Sequence, residues 1–178
     1  MTSTTSPRVY IASLSAYNAG KLHGVWIDLD GKDESDIQDE VNAMLATCPE
    51  NALSYPSEEW AIHDYDLGGI KIGESESFET LVNLAKALED HGEKFALAFD
   101  NFGDLDEAVQ ACEDSYQGVF STLEDYAIDY MEQSGILSEV PETLRNYFDF
   151  ARFGKDCEVS GDIWTARGED GLHVFSNN

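Results

Sequence analysis

Two short runs in this sequence carry the residue types that metal or acid–base chemistry needs. His63-Asp64-Tyr65-Asp66 offers an imidazole and two carboxylates within four positions, and Asp28, Asp30 and Asp33 bracket Gly31 and Lys32 in the manner of a calcium loop. Convergence decides whether such groups can act together. On a strand with a period of two, His63 and Tyr65 face one way and Asp64 and Asp66 the other, so the ligands diverge. In the second run glycine stands at loop position four instead of six, and Lys32 takes a ligand position. Gly68-Gly69-Ile70-Lys71-Ile72-Gly73 has neither a phosphate-loop ending nor a dinucleotide-loop spacing and reads as a turn. Carboxylate pairs are too abundant to nominate an acid and a base, and no nucleophile motif is present. His23, His91 and His173 stand alone, as surface or hydrogen-bonded histidines. Cys48, Cys112 and Cys157 are odd in number and widely separated, which fits reduced, mostly half-buried thiols better than a disulfide framework or a metal site. No catalytic residue, metal ligand or cofactor is nominated, and the expectation is a protein that is not an enzyme.

The elements that would carry these residues read as α+β. Residues 9–14 and 24–29 are β-rich, separated by a turn at Asn18-Ala19-Gly20. Ser35 with Gln38 has the form of a capping box, and Ile37, Val41, Met44 and Leu45 make one apolar stripe before Pro49. Residues 60–67 alternate as a third strand. Ser77 caps a helix with Phe78, Leu81, Val82, Ala85 and Leu88 on one face and Gly92 as its stop. A short apolar piece, 95–102, ends at Gly103, and Asp104 with Glu107 starts another helix that turns Leu105, Ala108, Val109 and Cys112 inward. After 116–120, Ser121 with Glu124 forms a second box for a helix with Leu123, Ala127, Tyr130 and Met131 inward, ending at Gly135. Pro141 suits the first turn of a helix through Leu144, Tyr147, Phe148 and Ala151. From Cys157 onward the chain reads as short strands, 162–167 and 172–175, about a turn at Gly168-Glu169-Asp170-Gly171. The expected architecture is an elongated chain of two to three small lobes: 1–68 α+β, 69–104 small and helical, 105–178 α+β, with short antiparallel sheets at both ends and a mainly helical middle.

Charge is the dominant feature. The 178 residues carry 36 Asp and Glu against 10 Lys and Arg, a formal charge of −26, yet 8 Tyr, 9 Phe and 3 Trp exclude a disordered acidic tail. Such charge opposes compaction, repels nucleic acid and anionic lipid, and attracts basic surfaces. Direct nucleic-acid or membrane binding is therefore not expected. The polar opening residues 1–8 and the lack of a long apolar run point to the cytoplasm. Residues 33–70 hold ten acids and no Lys or Arg, and residues 95–144 hold twelve and none. The candidate acidic surface comprises Asp33, Asp36, Asp39, Glu40, Glu58, Glu59, Asp64 and Asp66 in the first window. In the second it comprises Asp104, Asp106, Glu107, Glu113, Asp114, Glu124, Asp125, Asp129 and Glu132. Duplex DNA carries one charge per roughly 1.7 Å of axis, so 26 charges match about 44 Å, on the order of 13 base pairs. A generically solvated acidic surface, or a salt-adapted proteome, also accounts for the composition.

Four stretches read in order resemble the ArdA antirestriction family. They are Tyr10-Ile11-Ala12-Ser13-Leu14 with Tyr17, Asn18, Gly20, Leu22, Gly24 and Trp26-Ile27-Asp28; Glu58-Glu59-Trp60-Ala61-Ile62-His63-Asp64-Tyr65; Tyr116, Gly118, Phe120 and Ser121 with Glu124-Asp125-Tyr126-Ala127; and Leu144, Tyr147 and Asp149 followed by Lys155-Asp156. The fourth is similar to the family's antirestriction motif, with one departure: Lys155 stands where the resemblance implies arginine, keeping the charge but losing the planar fork. The resemblance covers nearly the whole chain. It implies a homodimer of three-lobed chains that imitates bent DNA and occupies the DNA-binding groove of type I restriction-modification enzymes, at their methyltransferase core. Leu144, Tyr147, Phe148 and Phe150 read as packing residues of a dimer seam or a lobe core, and the second candidate region is Leu144, Tyr147, Phe148, Asp149, Lys155 and Asp156. The alternative is an acidic interaction module for another basic, nucleic-acid-binding protein.

Overall fold

The computed structural model describes residues 6–53 and 57–177. The opening residues 1–5, part of the polar start noted above, lie outside them. The chain divides into two compact units, residues 1–105 and 106–178.

In the first unit a three-stranded antiparallel sheet has the order β2-β1-β3, with β1 at Arg8–Ser13, β2 at Gly24–Asp28 and β3 at Trp60–Asp66. Val9, Ile11 and Ile27 are fully buried, as are Ile37 and Val41 of α2 (Glu34–Ala46), the helix packed on β2 and β1. Burying side chains of this size contributes about 1.5–3 kcal/mol each, which explains why the 3.6-residue stripe reads so clearly in the sequence. Gly24 is required where it is: a Cβ there would lie 2.6 Å from the Ile11 carbonyl oxygen and 2.7 Å from Cζ of Tyr10.

Several local expectations are corrected. A short helix, α1 at Leu14–Asn18, follows β1 directly, its start capped by Ser13. The capping box of α2 is formed by Asp33 and Asp36, not Ser35 and Gln38: the Asp36 amide donates to Asp33 and the Asp33 amide to Asp36, at 3.0 and 3.1 Å. Aspartate caps as well as serine, and the earlier position adds a turn's beginning to the helix. β3 does not alternate strictly. Tyr10 faces Asp64 while Ile11 faces Ile62, so His63 is the extra residue of a bulge and packs edge-on against Tyr17 at 4.7 Å. The three cysteines carry no disulfide, but Cys48 and Cys112 are buried and only Cys157 is half-buried. Cys48 sits against Ser13, Ser15 and Ser57. Burial pushes its thiol up, but the hydrogen bonds of these hydroxyls and of the Glu50 backbone prevail and bring it to about 7.

Ser77 caps α3 (Phe78–His91) as expected, and the apolar piece that follows is itself helical, α4 at Glu93–Phe102 ending at left-handed Gly103. α5 (Leu105–Gln110) runs into a π-helical turn at Ala111–Ser115.

The second unit is built on a sheet of order β4-β6-β5, with β4 at Tyr116–Phe120, β5 at Ile163–Arg167 and β6 at Leu172–Ser176. α6 (Leu123–Gln133) is capped by Thr122, one residue after the expected Ser121. Tyr126, Ile163 and Val174 form the core, flanked by Phe120, Leu123 and Cys157. Burial is also the main reason that the Tyr126 hydroxyl is pushed up to about 12 and the Cys157 thiol upward. Buried His173 is satisfied at both nitrogens, by Tyr116 at 3.0 Å and Asp170 at 2.7 Å. Short helices α7 (Ile136–Glu139) and α8 (Glu142–Arg145) precede α9 (Phe150–Ser160). The single helix expected from Pro141 is thus broken, and residues 157–160 are helical, not extended. Pro141 caps α8 from outside, while the Asp149 carboxylate accepts the Arg152 amide at 3.0 Å and starts a new helix. The architecture is α+β, with one small three-stranded antiparallel sheet in each unit, α3 to α5 between β3 and β4, and α6 to α9 between β4 and β5. No helix among the described residues is long and apolar enough to cross a membrane.

Candidate acidic interface

The helices orient the acids by burying their opposite sides. On α2, Ile37, Val41, Met44 and Leu45 face inward, which leaves Asp36 and Asp39 exposed and Glu40 half-buried. Asp33 is exposed at the cap, where its charge complements the positive end of the helix. Glu58 and Glu59 are exposed just before β3, Asp64 is exposed on it, and Asp66 is half-buried at its end. Asp104 is exposed ahead of α5. In the second unit Asp106 and Glu107 are exposed on α5, and Glu113 and Asp114 on the π-helical turn. Glu124, Asp125 and Glu132 are exposed and Asp129 half-buried on α6.

Some of these carboxylates have local duties. Glu40 is paired with Lys32, which makes it the weakest candidate for an outside partner. Asp33 and Asp36 bond each other's backbone, Asp125 accepts from the Thr122 hydroxyl at 2.8 Å, and Asp129 accepts from Gln133 at 2.7 Å. Each keeps further acceptor capacity, since a carboxylate accepts about four hydrogen bonds. Asp125, Asp129 and Glu132 fall at i, i+4 and i+7 and so form one acidic row along α6. Repulsion within such a row costs a few tenths of a kcal/mol per pair, and the buried Tyr126, Ala127 and Met131 outweigh it.

The second region falls into two parts. Leu144 is 56% exposed and Tyr147 85% exposed, so neither belongs to the core of its own unit. Phe148 instead packs inward, its ring 4.9 Å from that of Phe150 and 5.8 Å from that of Phe153. Asp149 is the helix cap described above. Lys155 pairs with Glu158 at 2.5 Å, while Asp156 faces Arg152 at 3.8 Å. The chain therefore supplies a guanidinium to Asp156 from one turn earlier, in an exposed pair of little energetic weight. Lys155 and the Thr165 hydroxyl hold the Glu158 carboxyl below its usual range, against the opposing effect of burial. Sequence reading missed these pairs, although the i,i+4 spacing of Arg152 and Asp156 was the signal for one of them.

Gly154 sets the approach of α9 to α6. A Cβ there would lie 2.3 Å from the Leu123 carbonyl oxygen, so only glycine lets the motif-bearing helix pack this closely.

The family model described as Antirestriction protein (ArdA) matches residues 9–169. The chain belongs to the ArdA family. That match covers both units and every candidate acid, as well as the stretch from Leu144 to Asp156. ArdA is an antirestriction family, which makes restriction-modification enzymes the partners of this chain and gives its accessible carboxylates a setting. No curated protein matches the chain.

Proposed function

We propose that this ArdA protein inhibits type I restriction-modification enzymes by DNA mimicry, presenting its carboxylates in place of phosphates to the DNA-binding groove of the methyltransferase core. The observation that carries the reading is that every candidate acid in the two windows devoid of Lys and Arg reaches solvent. A groove built for phosphates attracts such an array by the same long-range field that steers DNA.

The lobes 1–68, 69–104 and 105–178 then serve to distribute charge along the groove. Two chains are joined through the fourth motif, for which the exposed Leu144 and Tyr147 are suited: apolar groups this accessible gain from being covered by a second copy. The dimer doubles the charge presented, to the equivalent of about 26 base pairs of duplex. The protein acts in the cytoplasm, where the enzyme and incoming DNA meet, and needs no cofactor.

Cleavage of unmodified DNA by a purified type I enzyme tests this directly. The protein should suppress cleavage in proportion to its occupancy of the enzyme, and excess unmodified duplex should restore it. Suppression that no amount of duplex relieves would place the inhibitor elsewhere on the enzyme.

A further inference from the structure

One face of the first sheet is not simply acidic. Strand pairing sets Arg8 opposite Asp28 and Asp66, and in the next outward-facing row Tyr10 opposite Trp26 and Asp64. Residues opposite one another in antiparallel strands share a face, as do residues two apart, so these six side chains lie together. Tyr10 and Trp26 are in ring contact at 5.5 Å, and Trp26 remains 42% exposed although its neighbours in the sheet bury aliphatic residues on the other side. The Arg8 guanidinium carbon lies 4.8 Å from the centroid of the Trp26 ring. Among the described residues, Arg8 makes no ion pair, and its buried Nε has no hydrogen-bond partner. Among the described residues, stacking on the indole is therefore what holds this side chain in place.

We propose that this face is a guanidinium-binding site that Arg8 occupies in the free protein and that an arginine of the partner enters when the protein binds. The chemistry favours arginine over other occupants. An exposed indole attracts a cation through its negative face, and a planar, weakly hydrated guanidinium stacks on it better than an ammonium does. Asp28 and Asp64, exposed beside the rings, supply acceptors for the guanidinium edge, and the three carboxylates against one arginine leave the face net negative. Displacing Arg8 breaks no side-chain hydrogen bond to a described residue, so exchange is inexpensive. The inference rests on the proposed basic groove as partner and adds to it a contact that phosphate imitation lacks: an aromatic anchor among carboxylates, selective for arginine.

The full-length protein, titrated with hexa-arginine and separately with hexa-lysine at moderate salt, provides the test, and no restriction enzyme is present. The expected result is roughly five-fold tighter binding of hexa-arginine, with a shift of the Trp26 indole N–H resonance on titration. Trp26→Leu should bring the two peptides to equal affinity. Arg8→Ala should tighten hexa-arginine binding, because the internal competitor is gone, although a positive charge near the acids removed in this way also favours hexa-lysine to a smaller extent. An unmoved Trp26 resonance at saturating hexa-arginine would overturn the proposal in the unaltered protein, whether or not Trp26→Leu folds. So would a preference for arginine that persists in folded Trp26→Leu. Failure here leaves DNA mimicry standing, whereas failure of duplex competition would leave this peptide result untouched.

Discussion

Replacing Gly154 by alanine adds one methyl group between α6 and α9, and the structure gives its consequence. The new Cβ would sit 2.3 Å from the Leu123 oxygen and 2.9 Å from its carbonyl carbon, both backbone atoms that no rotamer change can move. The helices must separate by about 1 Å to restore van der Waals contact, an overpacking that costs about 2–3 kcal/mol. Alanine returns about 1 kcal/mol of helix propensity, so the net loss is about 1–2 kcal/mol. For a unit of this size that corresponds to a fall in Tm of about 4–16 °C. Thermal unfolding by circular dichroism measures it, and hydrogen exchange should locate the loss in the amides of α6 and α9. Gly73→Ala is the control, because a Cβ there meets only a flexible Glu76 oxygen at 3.4 Å. A Gly154→Ala protein as stable as its parent would refute the argument that glycine sets this helix spacing.

Three further outcomes follow from the same geometry. Asp129→Asn and Glu132→Gln combined should weaken inhibition measurably while leaving stability equal or raised by a few tenths of a kcal/mol, since like-charge repulsion within the acidic row is relieved; each change alone should do little, and loss of inhibition from either one would contradict a distributed array. Tyr147→Ala should shift the dimer toward monomer in sedimentation yet alter monomer stability by less than about 0.5 kcal/mol, because the ring is exposed; an unchanged dimer would remove Tyr147 from the seam. Glu158 has a lowered folded pKa, so its stabilising contribution is present above the unfolded carboxylate value and is lost as pH falls through the folded one. Urea unfolding should therefore show Glu158→Gln less stable than the parent at pH 7 and the gap closing at acid pH; a gap independent of pH would assign the difference to packing.

Burial explains which elements the sequence made legible. α2, α3 and α6 were readable because each buries a stripe of large apolar residues at helical spacing, and the strands because their inner faces are β-branched or aromatic. The caps at Asp33 and Thr122 were misplaced because adjacent Asp, Ser and Thr cap about equally well, and tertiary packing chooses among them. The break before α9 was hidden for a similar reason: Leu144, Tyr147 and Phe148 keep helical spacing, but Leu144 and Tyr147 are exposed, and the cap at Asp149 overrides the pattern. The bulge at His63 depends on pairing with β1, which a strand's own residues do not encode. Of the interface, sequence gave the windows of charge, and helix faces gave exposure. The arginine-stacked face of Tyr10 and Trp26 required the register between β1 and β2.

Occupancy of a groove that also binds DNA is tested by displacement of a labelled duplex bearing the recognition site from a type I methyltransferase at two salt concentrations. Full displacement is expected at low salt, with a steep loss of the protein's affinity at high salt, as many carboxylates give up their attraction together. A ternary complex in which inhibitor and duplex remain bound to the same active enzyme would contradict it.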